Sequence, residues 1–201
     1  MFTLYGRANT GSVAVEALLD ELELPWQISE VPIDAPGADF RKLNPLGQVP
    51  VLQLDDGTII TESAAILMYL ADQKPEAGLC PAPKHKDRAA YLRWMVYLAA
   101  NTYMADLRFF YPDRYGDEGV KSAALKDLER DRDILSEALA EKPFFLSQFS
   151  ALDIYATMLL LWMRDDCAAE MKLPENLLSF ITRIMQRPKT HAAFLRNGFK
   201  V

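Results

Sequence analysis

Cysteine is scarce in this 201-residue chain: Cys80 and Cys167 stand far apart, and neither belongs to a Cys-x-x-Cys pair. His85 and His191 are the two histidines, so no zinc-ligand spacing can be assembled and no metal is expected. Long apolar runs are missing as well. The longest, Met158 to Met163, falls far short of the roughly 20 residues that span a bilayer. Basic tracts are absent: 22 Lys and Arg face 28 Asp and Glu, a net charge of −6, which argues against a general nucleic-acid or anionic-membrane surface. Met1-Phe2-Thr3-Leu4-Tyr5 lacks the charged and apolar regions of a secretory signal. The expectation is a cytoplasmic protein with free thiols.

Half the residues are apolar and a quarter are charged, the balance of a globular chain that builds its own core. The first third mixes two periods. Phe2 to Tyr5 is β-prone, and Val15, Leu18, Leu19 and Leu22 then recur at helical spacing. Trp26 to Val31 alternates as a half-buried strand. Val49 to Leu54, Asp56-Gly57 and Thr58 to Ile60 read as strand, turn and strand. A helix with Ile66, Tyr69 and Leu70 on one side follows. Pro75, Gly78, Pro81 and Pro83 then mark a linker. Beyond it the period is helical throughout. Stripes run through Tyr91, Trp94, Met95 and Leu98; through Leu125, Leu128, Leu135 and Leu139; through Ile154, Met158, Leu161 and Trp162; and through Leu177, Phe180, Ile181 and Ile184. The reading is an α/β unit over residues 1–75, a linker over 76–86 and an all-α unit over 87–201.

Four segments carry candidate chemistry. Asn9-Thr10-Gly11-Ser12 opens the first helix, where polar side chains and main-chain amides favour negative charge; Thr10 or Ser12 as a plain helix cap is the competing reading. In Asn44-Pro45-Leu46-Gly47-Gln48-Val49-Pro50, a cis proline at the strand start would turn the Val49 backbone outward, to pair with an extended peptide. Glu62-Ser63 opens the helix after the hairpin and matches an α-amino-acid head group, with Thr61 or Ser63 as a simple N-cap the alternative. Phe149-Ser150-Ala151-Leu152-Asp153-Ile154 is read as folding chemistry: Ser150 and Asp153 form a capping box, and Phe149 and Ile154 the accompanying hydrophobic staple.

Taken in order and spacing, "LYG", "NPLGQVPVL", "DDGTIITES" and "FSALDI" resemble the cytosolic glutathione transferase family over nearly the whole chain. The resemblance implies a thioredoxin-like N-terminal domain that binds glutathione as co-substrate, and a helical domain that supplies an electrophile pocket. It also implies a homodimer. Glu62 and Ser63 would hold the γ-glutamyl end, Val49 before Pro50 the cysteinyl unit, and Gln48 the glycyl carboxylate, where many members have Lys. Serine-type members place their thiol activator at Asn9, so the pattern departs there. The donor stays open among Asn9, Thr10, Ser12 and Tyr5. Tyr103, Met104, Arg108 and Tyr111 are the candidates for the electrophile pocket, with Arg108 favouring an anionic substrate. The implied activity is attack of a glutathione thiolate on a small hydrophobic electrophile. Disulfide reduction with glutathione and a non-catalytic binding module are the alternatives.

Overall fold

The computed structural model describes residues 1–32, 36–117, 119–167 and 169–200. The chain divides into two compact units, Met1–Cys80 with Met185–Val201, and Pro81–Ile184. The first division falls between Cys80 and Pro81, inside the stretch that holds Pro75, Gly78, Pro81 and Pro83. The last helix departs from the sequence reading, which left all of 87–201 in one all-α unit.

In the first unit the elements run β1 (Phe2–Gly6), α1 (Ser12–Glu21), β2 (Trp26–Glu30), α2 (Ala38–Leu43), β3 (Val51–Gln53), β4 (Ile59–Thr61) and α3 (Ser63–Gln73). The strand order is β2-β1-β3-β4, with β1 parallel to β2 and the other pairs antiparallel, the thioredoxin-like arrangement. Strand alternation builds two layers. Leu4 and Leu52, both fully buried, pair across β1 and β3 on the face that α1 and α3 cover with Leu18, Ile66 and Leu70. Tyr5 and Val51 point to the opposite face, into a cluster with Val31, Phe40 and Val49. The alternation in β2 overstates its burial, since Ile28 remains 46% exposed on this edge strand.

Helix α9 (Pro188–Arg196) returns to this unit and lies along α1, held by charge. Arg187 Nη2 donates to Glu21 Oε2 at 2.7 Å and Thr190 Oγ1 to Glu21 Oε1 at 2.7 Å. Arg196 Nε donates to Glu16 Oε1 at 2.7 Å, and Asn197 Nδ2 to Glu16 Oε2 at 2.8 Å.

The second unit contains α4 (Arg88–Tyr97), α5 (Tyr103–Phe110), α6 (Gly119–Leu139), α7 (Ala151–Asp166) and α8 (Glu175–Met185). One wide π turn, Leu98–Thr102, separates α4 from α5. Helix α7 is its axis: every residue from Ala151 to Met163 is buried, as expected of a helix apolar on all sides. The capping box is present. The Ser150 main-chain N–H donates to Asp153 Oδ2 at 2.8 Å and Ser150 Oγ to the same oxygen at 3.0 Å. The Phe145 N–H reaches Asp153 Oδ1 at 3.0 Å. Burial pushes this carboxyl up to about 6, against the pull of its three donors.

Candidate functional site

The sheet register assembles the site. Tyr5 pairs with Val51 and Val51 with Thr61, so one row of the sheet joins the end of β1, the start of β3 and the end of β4. The Asn9–Ser12 turn follows β1 after Arg7 and Ala8, the Val49-Pro50 bond immediately precedes β3 and the Glu62-Ser63 pair immediately follows β4, all at one end of the sheet. Helices α1 and α3 also begin there, and their N-terminal amides favour an anion.

The first turn closes tightly. A Cβ on Gly6 would lie 2.6 Å from Ser12 Cβ, so glycine lets the start of α1 fold back over β1. Asn9 is exposed and holds a left-handed backbone, φ +52. Ser12, 2% exposed, does not cap α1 as the alternative reading expected. It is the first helical residue; Gly11 holds the cap position, and Thr10 Oγ1 accepts the Ser12 N–H at a long 3.4 Å. Its hydroxyl instead donates to the Arg7 carbonyl at 2.8 Å and accepts the Arg7 N–H at 3.2 Å. Thr10 Oγ1, half-buried, lies 2.7 Å from Ser12 Oγ and 2.8 Å from the same carbonyl. Ser12 is therefore internal wiring, whereas Thr10 can redirect its proton at the loss of one bond to Arg7. Tyr5 is engaged elsewhere: its hydroxyl donates to Gln53 Oε1 at 3.0 Å and its ring lies 5.9 Å from that of Phe40.

The second segment is held by buried Asn44, whose Nδ2 donates to the Gln48 carbonyl at 2.8 Å while its Oδ1 accepts the Leu46 N–H at 3.2 Å. The Val49-Pro50 peptide is cis. No hydrogen bond occupies the Val49 main chain among the described residues. Sequence reasoning missed Arg41. Its Nη1 would lie 2.8 Å from a Cβ on Gly47, which takes φ +66, so the guanidinium rests on the main chain just before Gln48. Its one hydrogen bond is to the Pro45 carbonyl, and it has no acidic partner among the described residues. No signal in the sequence tells that α2 lays this side chain there.

At the third segment Glu62 occupies the residue before α3, exposed and left-handed at φ +66 and ψ +111. Ser63 is the first helical residue, 9% exposed. Neither Thr61 nor Ser63 is therefore the N-cap residue, as the plain reading had it. Non-glycine residues in left-handed backbone are costly and cluster at functional sites, and two of them flank this one.

The electrophile candidates do not form one set. Tyr103 packs its ring 5.5 Å from that of Trp162. Arg108 Nη2 donates to Asp127 Oδ2 at 2.8 Å, which leaves it poorly placed as a free anion receptor. Met104 and Tyr111 stay 37% and 38% exposed. Cys80 and Cys167 are buried, and burial followed by Asp106 pushes the Cys167 thiol up to about 12. Among the described residues no cluster of His, Cys, Asp and Glu could hold a metal, and no helix is long and apolar enough to cross a membrane.

Comparison with known proteins extends this geometry. A family model described as "Glutathione S-transferase, N-terminal domain" matches residues 12–73. Glutathione S-transferase GstA of Escherichia coli O157:H7 is 32% identical over 167 residues, covering 82% of this chain and 81% of that protein. Among solved structures, a glutathione transferase from Methylococcus capsulatus is 31% identical, with a TM-score of 0.88 over 98% of this chain and 99% of its own. A sphingomonad glutathione S-transferase complexed with glutathione is 30% identical, with a TM-score of 0.85 over 98% of this chain and all of its own, 100%.

Proposed function

The chain belongs to the glutathione S-transferase family, and on that premise we propose that it binds glutathione along its Gln48-Val49-Pro50 and Glu62-Ser63 segments and turns the thiol into a thiolate at the Asn9-Thr10 turn. The observation that carries this reading is the single sheet row, Tyr5 to Val51 to Thr61, which brings all three segments to one end. The open Val49 main chain suits the cysteinyl unit as an added strand. Ser63 and the amides of α3 suit the γ-glutamyl carboxylate, and Glu62 its ammonium. Arg41, resting on Gly47, supplies beside Gln48 the cation that a glycyl carboxylate needs.

The chemical demand on the turn is modest. A free thiol titrates near about 8.5, so thiolate near neutrality needs a shift of roughly 1.5 units, or about 2 kcal/mol. One hydrogen bond to a charged group is worth about 1.5–3 kcal/mol. Thr10 Oγ1 is the donor best placed to give it: it turns from the Arg7 carbonyl to the sulfur while Ser12 keeps its own bond to that carbonyl. Asn9 stands beside it at the exposed rim. The engagement of Tyr5 with Gln53 supports leaving it out. Of the electrophile candidates in the helical unit, Met104 and Tyr111 are the exposed ones, and we take a homodimer as the family's usual state.

Ultraviolet titration of bound glutathione tests the reading. The thiol should ionise roughly 1.5 units below free glutathione. Thr10→Ala should raise that value by about one unit, a tenfold loss of thiolate, with Tyr5→Phe unchanged. An unshifted thiol in the wild type overturns the mechanism, and a shift lost only in Tyr5→Phe moves the activator to Tyr5.

A further inference from the structure

Asp106 takes no part in the site described above. It lies on α5, 1% exposed, and neither carboxyl oxygen has a hydrogen-bond partner among the described residues. An ionised carboxylate so placed lacks both water and donors, whereas a protonated carboxyl has no charge to desolvate.

Among the described residues no cation of the elements packed on α5 reaches it; Arg164 of α7, for one, pairs with Asp165 at 2.6 Å. From α6 comes Asp131, which already accepts from Tyr97 Oη at 2.8 Å, Thr102 Oγ1 at 3.1 Å and Arg130 Nη2 at 3.0 Å. Arg130 is also held by Asp127 through Nη1 at 2.7 Å. Lys121 lies 4.5 Å from the centre of the Phe109 ring and 4.0 Å from Glu170. The end of α7 brings Asp166 and Cys167. On α5 itself Arg108 is paired with Asp127, and in the short turn that follows, Arg114 stacks over the Tyr111 ring at 4.1 Å. The charged groups that reach Asp106 are thus the acids Asp131 and Asp166. Immediately before α5 the chain makes its wide π turn, Leu98–Thr102, a break in helical bonding about which α5 can pivot.

We propose that Asp106 is a proton-operated latch of the helical unit: as a neutral acid it lets α5 seat on α6 and α7, and on releasing its proton to solvent it loosens α5 about the π turn. Burial, then Asp131 and Asp166, hold its carboxyl well above the ordinary carboxylate range. Because the folded-state value is raised, the latch contributes fully in acid and is lost as pH rises through that raised value.

The test uses the full chain with carbon-13 at the aspartate carboxyl carbons, titrated by nuclear magnetic resonance. Asp106 should be the last aspartate to ionise, well after the exposed ones, and its signal should vanish in Asp106→Asn. In parallel, exchange protection of the α5 amides, corrected for intrinsic base catalysis, should fall tenfold or more as that carboxyl ionises and stay level in Asp106→Asn. If that variant does not fold, Asp106→Leu takes its place, and the wild-type titration stands alone. The proposal is overturned if every aspartate ionises with the exposed ones, or if α5 protection is indifferent to the last ionisation.

Discussion

The two units bury acidic side chains on opposite terms. In the first, Glu16 and Glu21 lie on α1, each nearly buried and each met by partners from α9 that are 166 to 181 positions away in sequence. In the second, Asp153 is satisfied by main-chain amides and a hydroxyl, and Asp106 by nothing among the described residues. In the first unit, then, charge joins distant parts of the chain, which is how a C-terminal helix comes to belong to an N-terminal domain. In the second, Asp153 organises local backbone and Asp106 is unpaired among the described residues, while buried Asp131 pairs with Arg130, its neighbour in sequence, so the ion pair on a buried acid there is local. The two sets should answer differently to truncation, to pH and to salt.

The largest effect is expected at Asp153. Asp153→Ala leaves the N–H groups of Phe145 and Ser150 buried without an acceptor, at about 1–3 kcal/mol each, so the variant should lose about 3 kcal/mol or more in urea unfolding. Ser150→Ala removes one hydroxyl bond and should lose about 1 kcal/mol. Equal losses in the two variants would mean that the amides find other acceptors, and Asp153 would be no more than an end cap.

Glu21→Ala comes next. It strands the fully buried Thr190 hydroxyl, but Arg187, 38% exposed, turns to water, so the expected loss is about 1–3 kcal/mol. The loss should be local: limited proteolysis should release the C-terminal segment of the variant before the rest of the chain unfolds. Simultaneous loss of both units would show that α9 is held by its apolar face and that charge is incidental.

Acid should separate the two sets by sign. Burial raises the Glu21 carboxyl, but Arg187 and Thr190 together outweigh it and hold the group below its ordinary value of 4.5. Its stabilising contribution is complete above that ordinary value and is lost as pH falls through the lowered one. Asp153 runs the other way: with its carboxyl pushed up to about 6, its contribution is complete below the ordinary 3.8 and is lost as pH rises through about 6. Glu21→Gln should therefore flatten the decline in stability that sets in below its ordinary 4.5 and leave the slope near pH 6 unchanged. The comparison breaks if that variant unfolds in acid as the wild type does.

Much of this was legible in the sequence. The strand alternation, the Asp56-Gly57 hairpin, the proline-rich break and the Ser150–Asp153 box are local signals, and local hydrogen bonding realises them. The motif segments met because the register of β1, β3 and β4 follows from the hairpin and from the apolar alternation of the strands. The unread parts depend on contacts between distant residues. Nothing near Arg187 or Arg196 says that its partners lie on the first helix. In α6, Asp131 interrupts the stripe Leu128, Leu135, Leu139, and a charge in that place reads as solvent-facing until Tyr97, Thr102 and Arg130 are seen around it. Arg41 is an exposed cation in the structure too, and only the fold shows that α2 lays it on Gly47.

The smallest effect should come from Arg196→Ala. Arg196 is 48% exposed and bridges Glu16 and Asp20, two acids of one helix face. Exposed and half-exposed pairs contribute about 0.2–1 kcal/mol, and screening lowers that further. After the substitution Glu16 does not stand alone, because Asn197 Nδ2 still donates to it at 2.8 Å. The variant should lose about 1 kcal/mol or less at low salt, and the difference from wild type should shrink toward zero near molar salt, where the screening length falls to about 3 Å. Asn197→Ala in the same background should then cost more than it does alone, since it removes the last donor from a nearly buried carboxylate. Additive losses, unmoved by salt, would mean that α9 is held on α1 by packing. The contrast between a first unit clamped by distant ion pairs and a second unit whose buried acids draw on no distant cation would then fail on its first side.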